Sequence, residues 1–246
     1  MLSSRNLAKH FDGVVAADQV SVEIAAGERV GLIGSNGAGK TTFVNMITGY
    51  LKPDAGSIAL DGRDITALGP RAIMRLGVAR SFQIPQLCAE MSVLDNMLVA
   101  AACGAGGLSF FRSSHTQEKV EASTGLLERF GLAEHARRRV GELPGGVRKL
   151  LDIALAMTGR PKLLLLDEPT SGVSVEEKFP LMDTVMSAVS GEAGKAAVLF
   201  VEHDMEVVSR YASRVIAFYS GRVLADGAPD TVLADAEVRR HVTGHA

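Results

Sequence analysis

Residues 34–42 read Gly34-Ser35-Asn36-Gly37-Ala38-Gly39-Lys40-Thr41-Thr42. Before them runs a short apolar stretch, Arg29 to Ile33, that reads as a buried strand. After them the apolar spacing turns helical from Thr41 to Thr48, with Gly49 where a helix would be capped. Strand, glycine-rich loop and helix start, in that order, make a cradle for phosphate. The glycines let backbone N–H groups curl around the anion, and the helix N-terminus adds positive potential. Lys40 supplies a point charge, and the Thr41 hydroxyl is placed to ligate Mg²⁺. The whole stretch Gly34, Ser35, Asn36, Gly37, Ala38, Gly39, Lys40, Thr41 and Thr42 is therefore the first candidate site.

Working outward, the 246 residues are 47% hydrophobic and 22% charged, with no Trp and a net charge of -2. That suits one α/β domain able to bury a full core. The near-neutral balance argues against a nucleic-acid binder, which carries a basic face. The basic cluster Arg137-Arg138-Arg139 reads as a solvated helix face. Met97 to Phe111 is the longest apolar stretch, broken by glycines and shorter than the roughly 20 residues of a spanning helix. No signal peptide is expected, since Arg5, Lys9, His10 and Asp12 interrupt the N-terminal apolar residues. Cys88 and Cys103 form no disulfide framework and are expected to be reduced, buried thiols.

Three further features carry chemistry. In Leu163-Leu164-Leu165-Leu166-Asp167-Glu168 a strand buried on both faces ends in two carboxylates, where α/β sheets place their sites. Asp167 is suited to hold Mg²⁺ through its water shell, and Glu168 to polarise an attacking water. Glu202-His203-Asp204 follows the strand Ala197 to Val201. His203 there is placed to reach a γ-phosphate. Gln83 follows Arg80-Ser81-Phe82 and puts a polar side chain at the start of the next region. With the glycine-rich loop, this set specifies a P-loop NTPase.

The remaining pattern organises the chain around these sites. The first 33 residues read as strands, Val20 to Ile24 among them; Gly56 to Leu60 reads as a strand entering a turn at Asp61-Gly62. Cys88 to Glu142 offers helices (Val93 to Ala102, Thr116 to Phe130), a break at Gly104 to Gly107 and no strand. A further helix is expected over Val175 to Val189, and Arg214 to Phe218 with Arg222 to Ala225 as a hairpin around Ser220-Gly221. Gly141-Glu142-Leu143-Pro144-Gly145-Gly146-Val147 leads into an apolar helical pattern ending at Met157, so two glycine amides stand at a helix N-terminus. The expected fold class is α/β: a P-loop NTPase core with an N-terminal antiparallel β region and an inserted helical subdomain.

The order of these pieces resembles the ATP-binding cassette (ABC) family over nearly the whole chain. In that resemblance Phe11 is the aromatic that stacks on adenine, residues 34–42 are Walker A and Gln83 is the Q-loop. Leu143 to Val147 stands where the signature LSGGQ belongs, with Gly145 and Gly146 facing a partner subunit's ATP. Leu163 to Glu168 is Walker B, Ser171-Gly172-Val173-Ser174 the D-loop and His203 the switch histidine. The resemblance implies catalytic roles for Glu168, His203, Gln83 and Lys40, and Mg²⁺ contacts from Thr41, Gln83 and Asp167. It divides residues 1–246 into a RecA-like core with its β region (1–87 and 151–246) and a helical subdomain (88–150). Asn45-Met46-Ile47-Thr48-Gly49, Arg80-Ser81-Phe82-Gln83, Glu90 to Asn96 and Val201 to Met205 extend the likeness to ATPases of branched-chain amino acid-type importers.

The likeness to importers implies ATP and Mg²⁺ as ligands, and a second ABC ATPase subunit in a heterodimer. It also implies two membrane permease subunits fed by a periplasmic substrate-binding protein, and a peripheral place on the cytoplasmic face of the bacterial inner membrane. Pro144, Val147 and Ser174 depart from the family pattern. Proline has neither hydroxyl nor N–H, so the signature serine's hydrogen bond to a γ-phosphate cannot form. Two other readings stay open: a soluble ABC ATPase acting on ribosome or DNA, and a regulatory cassette with weak hydrolysis. The transported solute is not legible, because such a subunit never touches it.

Overall fold

The computed structural model describes residues 1–104, 116–190 and 196–244. In chain order it holds β1 (Leu2–Phe11), β2 (Val14–Ile24), β3 (Arg29–Gly34), α1 (Lys40–Ile47), β4 (Ala55–Leu60), β5 (Arg63–Asp64), α2 (Pro70–Arg75) and β6 (Val78–Ser81). There follow α3 (Val93–Gly104), α4 (Gln117–Arg129), α5 (Gly145–Met157), β7 (Leu163–Asp167) and α6 (Val175–Ser190). The chain continues through β8 (Ala197–Val201), α7 (Met205–Tyr211), β9 (Arg214–Tyr219), β10 (Arg222–Gly227) and α8 (Pro229–Ala234). Two compact units result, one of residues 1–78 with 197–246, the other of residues 79–196.

In the first unit β2, β1, β4 and β5 form an antiparallel sheet. This is the N-terminal antiparallel β region that the sequence predicts. β1 pairs with β2 through a two-residue turn at Asp12-Gly13, both with positive φ, the conformation that matches the twist of the strands. A second sheet runs in the order β10, β9, β3, β8, with β3 parallel to both β9 and β8. β3 is buried at every residue after Arg29, as a central parallel strand covered on both faces must be. Phe43 of α1 packs on Phe218 of β9 with ring centroids 5.5 Å apart. Both rings are fully buried, and burying each side chain stabilises the fold by roughly 1.5–3 kcal/mol. The α/β class is as expected from the strand–loop–helix order.

The second unit is mostly helical. β7 lies beside β6, and its four leucines are buried. α3, α4 and α5 pack on one another, and Met97, Leu98, Leu127, Leu151 and Ile153 on these helices are all at most 1% exposed. Within the described residues of 88–142 there is no strand, only an isolated bridge between Ser92 and Arg139. Arg137, Arg138 and Arg139 are exposed as predicted, but they sit on a turn and not on a helix. Residues 105–107 of the expected glycine-rich break lie outside the described residues. Among the described residues no helix is long and apolar enough to cross a membrane.

The thiols need a correction: Cys88 and Cys103 are free, as expected, but both are exposed. Asn96 explains the first. It is buried, and its side chain accepts from Cys88 N–H at 2.9 Å and donates to Cys88 C=O at 3.1 Å. The backbone of residue 88 is held inward while its side chain faces out. The sequence also gave no hint of α2 or β6, both too short for a periodic signal.

α7 begins immediately after His203 because Asp204 caps it, accepting from Glu206 N–H at 2.9 Å and Val207 N–H at 3.3 Å. Asp204→Ala should therefore cost about 1 kcal/mol and lower the melting temperature by roughly 2–4 °C. Thermal unfolding of the two chains checks this; an unchanged midpoint refutes the cap.

Candidate phosphate-binding loop and carboxylate pair

In the first unit, β3 delivers the chain into the loop and α1 receives it. Gly34 and Gly39 have positive φ of 157° and 104°. A Cβ on Gly34 would lie 2.6 Å from Phe218 C=O, and one on Gly39 would lie 2.5 Å from Ala16 C=O. Neither position admits a side chain. Gly221, in the β9–β10 turn, donates its N–H to Ala38 C=O at 3.0 Å and accepts from Asp18 N–H at 2.8 Å. The hairpin expected around Ser220-Gly221 thus props the loop, a role the sequence did not reveal.

At the tip of the loop Asn36, Gly37 and Thr41 are exposed, whereas Ala38, Gly39 and Lys40 are buried. The Lys40 ammonium donates to Gly34 C=O at 2.6 Å and Ser35 C=O at 3.1 Å, which fixes its charge on the loop. Phe11 is 45% exposed at the end of β1, with the Lys9 ammonium 5.6 Å from its ring centroid. It pairs with Val14, two residues before the Ala16 carbonyl that crowds Gly39. The unit therefore gathers Phe11 and the loop through one hairpin. His203 is exposed at the end of β8; its N–H donates to Glu202 Oε2 at 3.2 Å.

In the second unit the carboxylates at the end of β7 each meet a neighbour, Asp167 a residue of β6 and Glu168 a residue just after it. Arg80 Nη2 contacts Asp167 Oδ2 at 2.6 Å, both side chains largely buried. Gln83 Nε2 donates to Glu168 Oε2 at 2.6 Å. Glu168 has φ of 47°, a left-handed backbone that a non-glycine residue adopts only under constraint. The constraint is a tight turn, closed by Ser171 N–H donating to Glu168 C=O at 3.1 Å.

Gly145 and Gly146 begin α5, with Pro144 as its cap residue and no capping side chain. The first intrahelical bond runs from Arg148 N–H to Pro144 C=O at 3.0 Å, which leaves the N–H groups of residues 145–147 without an intrahelical partner. A Cβ at either glycine would meet nothing within 4 Å, so this end of the helix is open.

Three residues with polar work in this unit went unassigned in the sequence. Arg80 was visible only as a neighbour of Gln83. Lys149 and Asp152 are buried on α5, and their signal was two opposite charges at i, i+3 within an apolar helical pattern. The donor set expected for Mg²⁺ is chemically apt. Thr41 offers an exposed hydroxyl, Gln83 an amide oxygen left over by its donated N–H, and Asp167 a carboxylate, all hard oxygens.

A glycine-rich phosphate loop between a buried strand and a helix, with a carboxylate pair closing another buried strand, defines a P-loop nucleotide triphosphatase. A family model described as "ABC transporter" matches residues 17–171. The chain is 35% identical to the high-affinity branched-chain amino acid transport ATP-binding protein LivG of Escherichia coli, covering 100% of this chain and 98% of that one. It is 36% identical to a probable branched-chain amino acid transport ATP-binding protein LivG of Archaeoglobus fulgidus, covering 97% and 93%. Among solved structures, the ADP conformation of an ATP-binding cassette of an ABC transporter superposes with a TM-score of 0.87. That cassette is 31% identical, and the match covers 98% of this chain and 97% of the other. The chain belongs to the ABC transporter family and is one of its ATPases.

Burial pushes the Asp152 carboxyl above the ordinary aspartate value of 3.8, against the pull of Ser81, Gln86, Lys149 and Phe82. A carboxyl whose folded value is raised contributes full stability below the unfolded value and loses it as pH climbs through the folded one. Relative to Asp152→Asn, the unmodified chain should thus be favoured most at acid pH and lose that margin upward from about pH 3.8. Denaturant titrations at stepped pH measure the margin; a flat difference refutes the shift.

Proposed function

We propose that this chain hydrolyses ATP within an importer of the branched-chain amino acid type. It pairs head to tail with a different cassette subunit and works beneath two membrane permease subunits supplied by a periplasmic binding protein. The assembly lies on the cytoplasmic face of the inner membrane. Its likeness to two transport ATP-binding proteins over nearly their full length favours this reading over a ribosome- or DNA-directed ATPase. Residues 1–87 and 151–246 act as the RecA-like core with its β region, and 88–150 as the helical subdomain.

The observation that carries the hydrolytic role is the 2.6 Å contact from Gln83 Nε2 to Glu168 Oε2. It holds a carboxylate in one orientation at the end of a buried strand, where it can accept the proton of a water that attacks the γ-phosphorus. Lys40 and the amides of residues 34–42 bind the phosphates, Phe11 stacks on adenine, and His203 donates to the γ-phosphate. Thr41, Gln83 and Asp167 would hold Mg²⁺, whose charge would offset that of the phosphates. Glu168→Gln keeps the shape and removes the proton acceptor. It should leave ATP affinity unchanged and slow turnover at least 100-fold, within the range set for positioned general bases at about 10²–10⁴. A full hydrolysis rate with the partner's own site disabled overturns the assignment.

Gly145 and Gly146 serve ATP bound by the partner subunit. Pro144 deprives that site of one hydrogen bond to a charged group, worth roughly 1.5–3 kcal/mol or about 10- to 150-fold. The site that this chain's own Lys40 serves is completed by the partner's signature and stays competent. A homodimer would weaken both sites alike, which is the reason to expect a heterodimer. Pro144→Ser should accelerate hydrolysis only at the partner's Walker A. Single-site assays, with one Walker B glutamate disabled at a time, read this directly; acceleration at this chain's own site, or at neither, overturns it.

A further inference from the structure

Two buried charges on α5 take no part in the chemistry above, and both reach one short segment. Lys149 is 3% exposed and Asp152 6%. Lys149 Nζ donates to Phe82 C=O at 3.2 Å and Gln83 C=O at 3.0 Å. Asp152 Oδ2 accepts from the Ser81 hydroxyl at 2.6 Å and Phe82 N–H at 3.2 Å, and Oδ1 accepts from Gln86 N–H at 3.2 Å.

The geometry is selective. The Phe82 and Gln83 carbonyls belong to the two peptide planes flanking Gln83, so Lys149 fixes its backbone on both sides. Asp152 holds the peptide plane before these and the amide of Gln86 beyond them. With φ and ψ of Gln83 set, only its side-chain torsions are left to settle, and the amide lands 2.6 Å from Glu168 Oε2. The two charges are also expensive to bury, and an apolar pair of similar volume would pack at lower cost. Ordinary helix packing therefore does not account for them. They sit one turn and two turns beyond Gly145, the residue that starts the helix.

We propose that Lys149 and Asp152 are positioning residues that mount Gln83 on the signature helix. The side chain that addresses this chain's own nucleotide and the glycine amides offered to the partner's then move as one body. Occupancy of one ATP site is thereby reported to the other through a single helix. The proposal rests on the roles given above to Gln83 and to Gly145 and Gly146.

The test uses the assembled transporter with Cys88 and Cys103 changed to serine and spin labels at Ile84 and Arg148, both exposed positions. A narrow label-to-label distance distribution is expected for the native tether. Asp152→Asn and Lys149→Met should broaden it and lower ATP turnover about tenfold or more, as the loss of charged hydrogen bonds entails. ATP affinity should be unchanged, and Lys149→Arg should restore both readouts. In a Gln83→Ala background Asp152→Asn should cost nothing further, because its effect passes through Gln83. An unbroadened distribution overturns the proposal, and so does an equal loss in the Gln83→Ala background. If Asp152→Asn does not fold, Ser81→Ala removes the shortest bond and carries the same test. If Gln83→Ala alone leaves turnover intact, the role of Gln83 fails, while the label distances still decide the tether.

Discussion

The loop at residues 34–39 exists because two carbonyls stand where side chains would otherwise be. Phe218 C=O and Ala16 C=O approach the backbone so closely that Gly34 and Gly39 have no room for a Cβ. Those approaches follow from β9 and β2 lying against the strand and loop that they brace. The result is a loop whose backbone is braced from outside at both of its glycine ends. α1 begins where the loop ends, and its buried Phe43 anchors that start to β9.

The carboxylates follow a different logic. β7 is apolar and buried up to its last residue, so Asp167 and Glu168 emerge at a defined place. Their orientation comes from elsewhere, through Arg80 at the end of β6 and Gln83 of the irregular segment that follows. An irregular segment is a poor platform unless something fixes its peptide planes. Here the fixing groups are two charges on a helix: Lys149 donates to two backbone carbonyls of that segment, and Asp152 accepts from two of its backbone amides and from the Ser81 hydroxyl. Rigidity in this part of the molecule is supplied by side chains to main chain, the reverse of its supply in the phosphate loop.

The elements legible in the sequence are those with a long period or an obligatory residue. Gly34 to Thr42, Leu163 to Glu168 and the turns at Asp61-Gly62 and Ser220-Gly221 could be read because steric rules leave few residue choices at each. The helices from Val93 and Val175 were legible from spacing, with ends displaced by one or two residues. The six-residue α2 and four-residue β6 were hidden because they span too few residues for a period to register. The exposure of Cys88 was hidden because it depends on Asn96, eight positions away. Lys149 and Asp152 were visible as charges in an apolar pattern, but what they hold is set by tertiary contact with residues 81–86 and leaves no mark in local composition.

The left-handed backbone at Glu168 sets two demands against each other. Residues other than glycine hold that conformation at a cost of order 1–3 kcal/mol. Glycine at 168 would relax the turn, but it would delete the carboxylate and the bond that it accepts from Gln83. A screen scored on yield or melting temperature is therefore blind to what this position does, and only an assay of turnover separates the two residues.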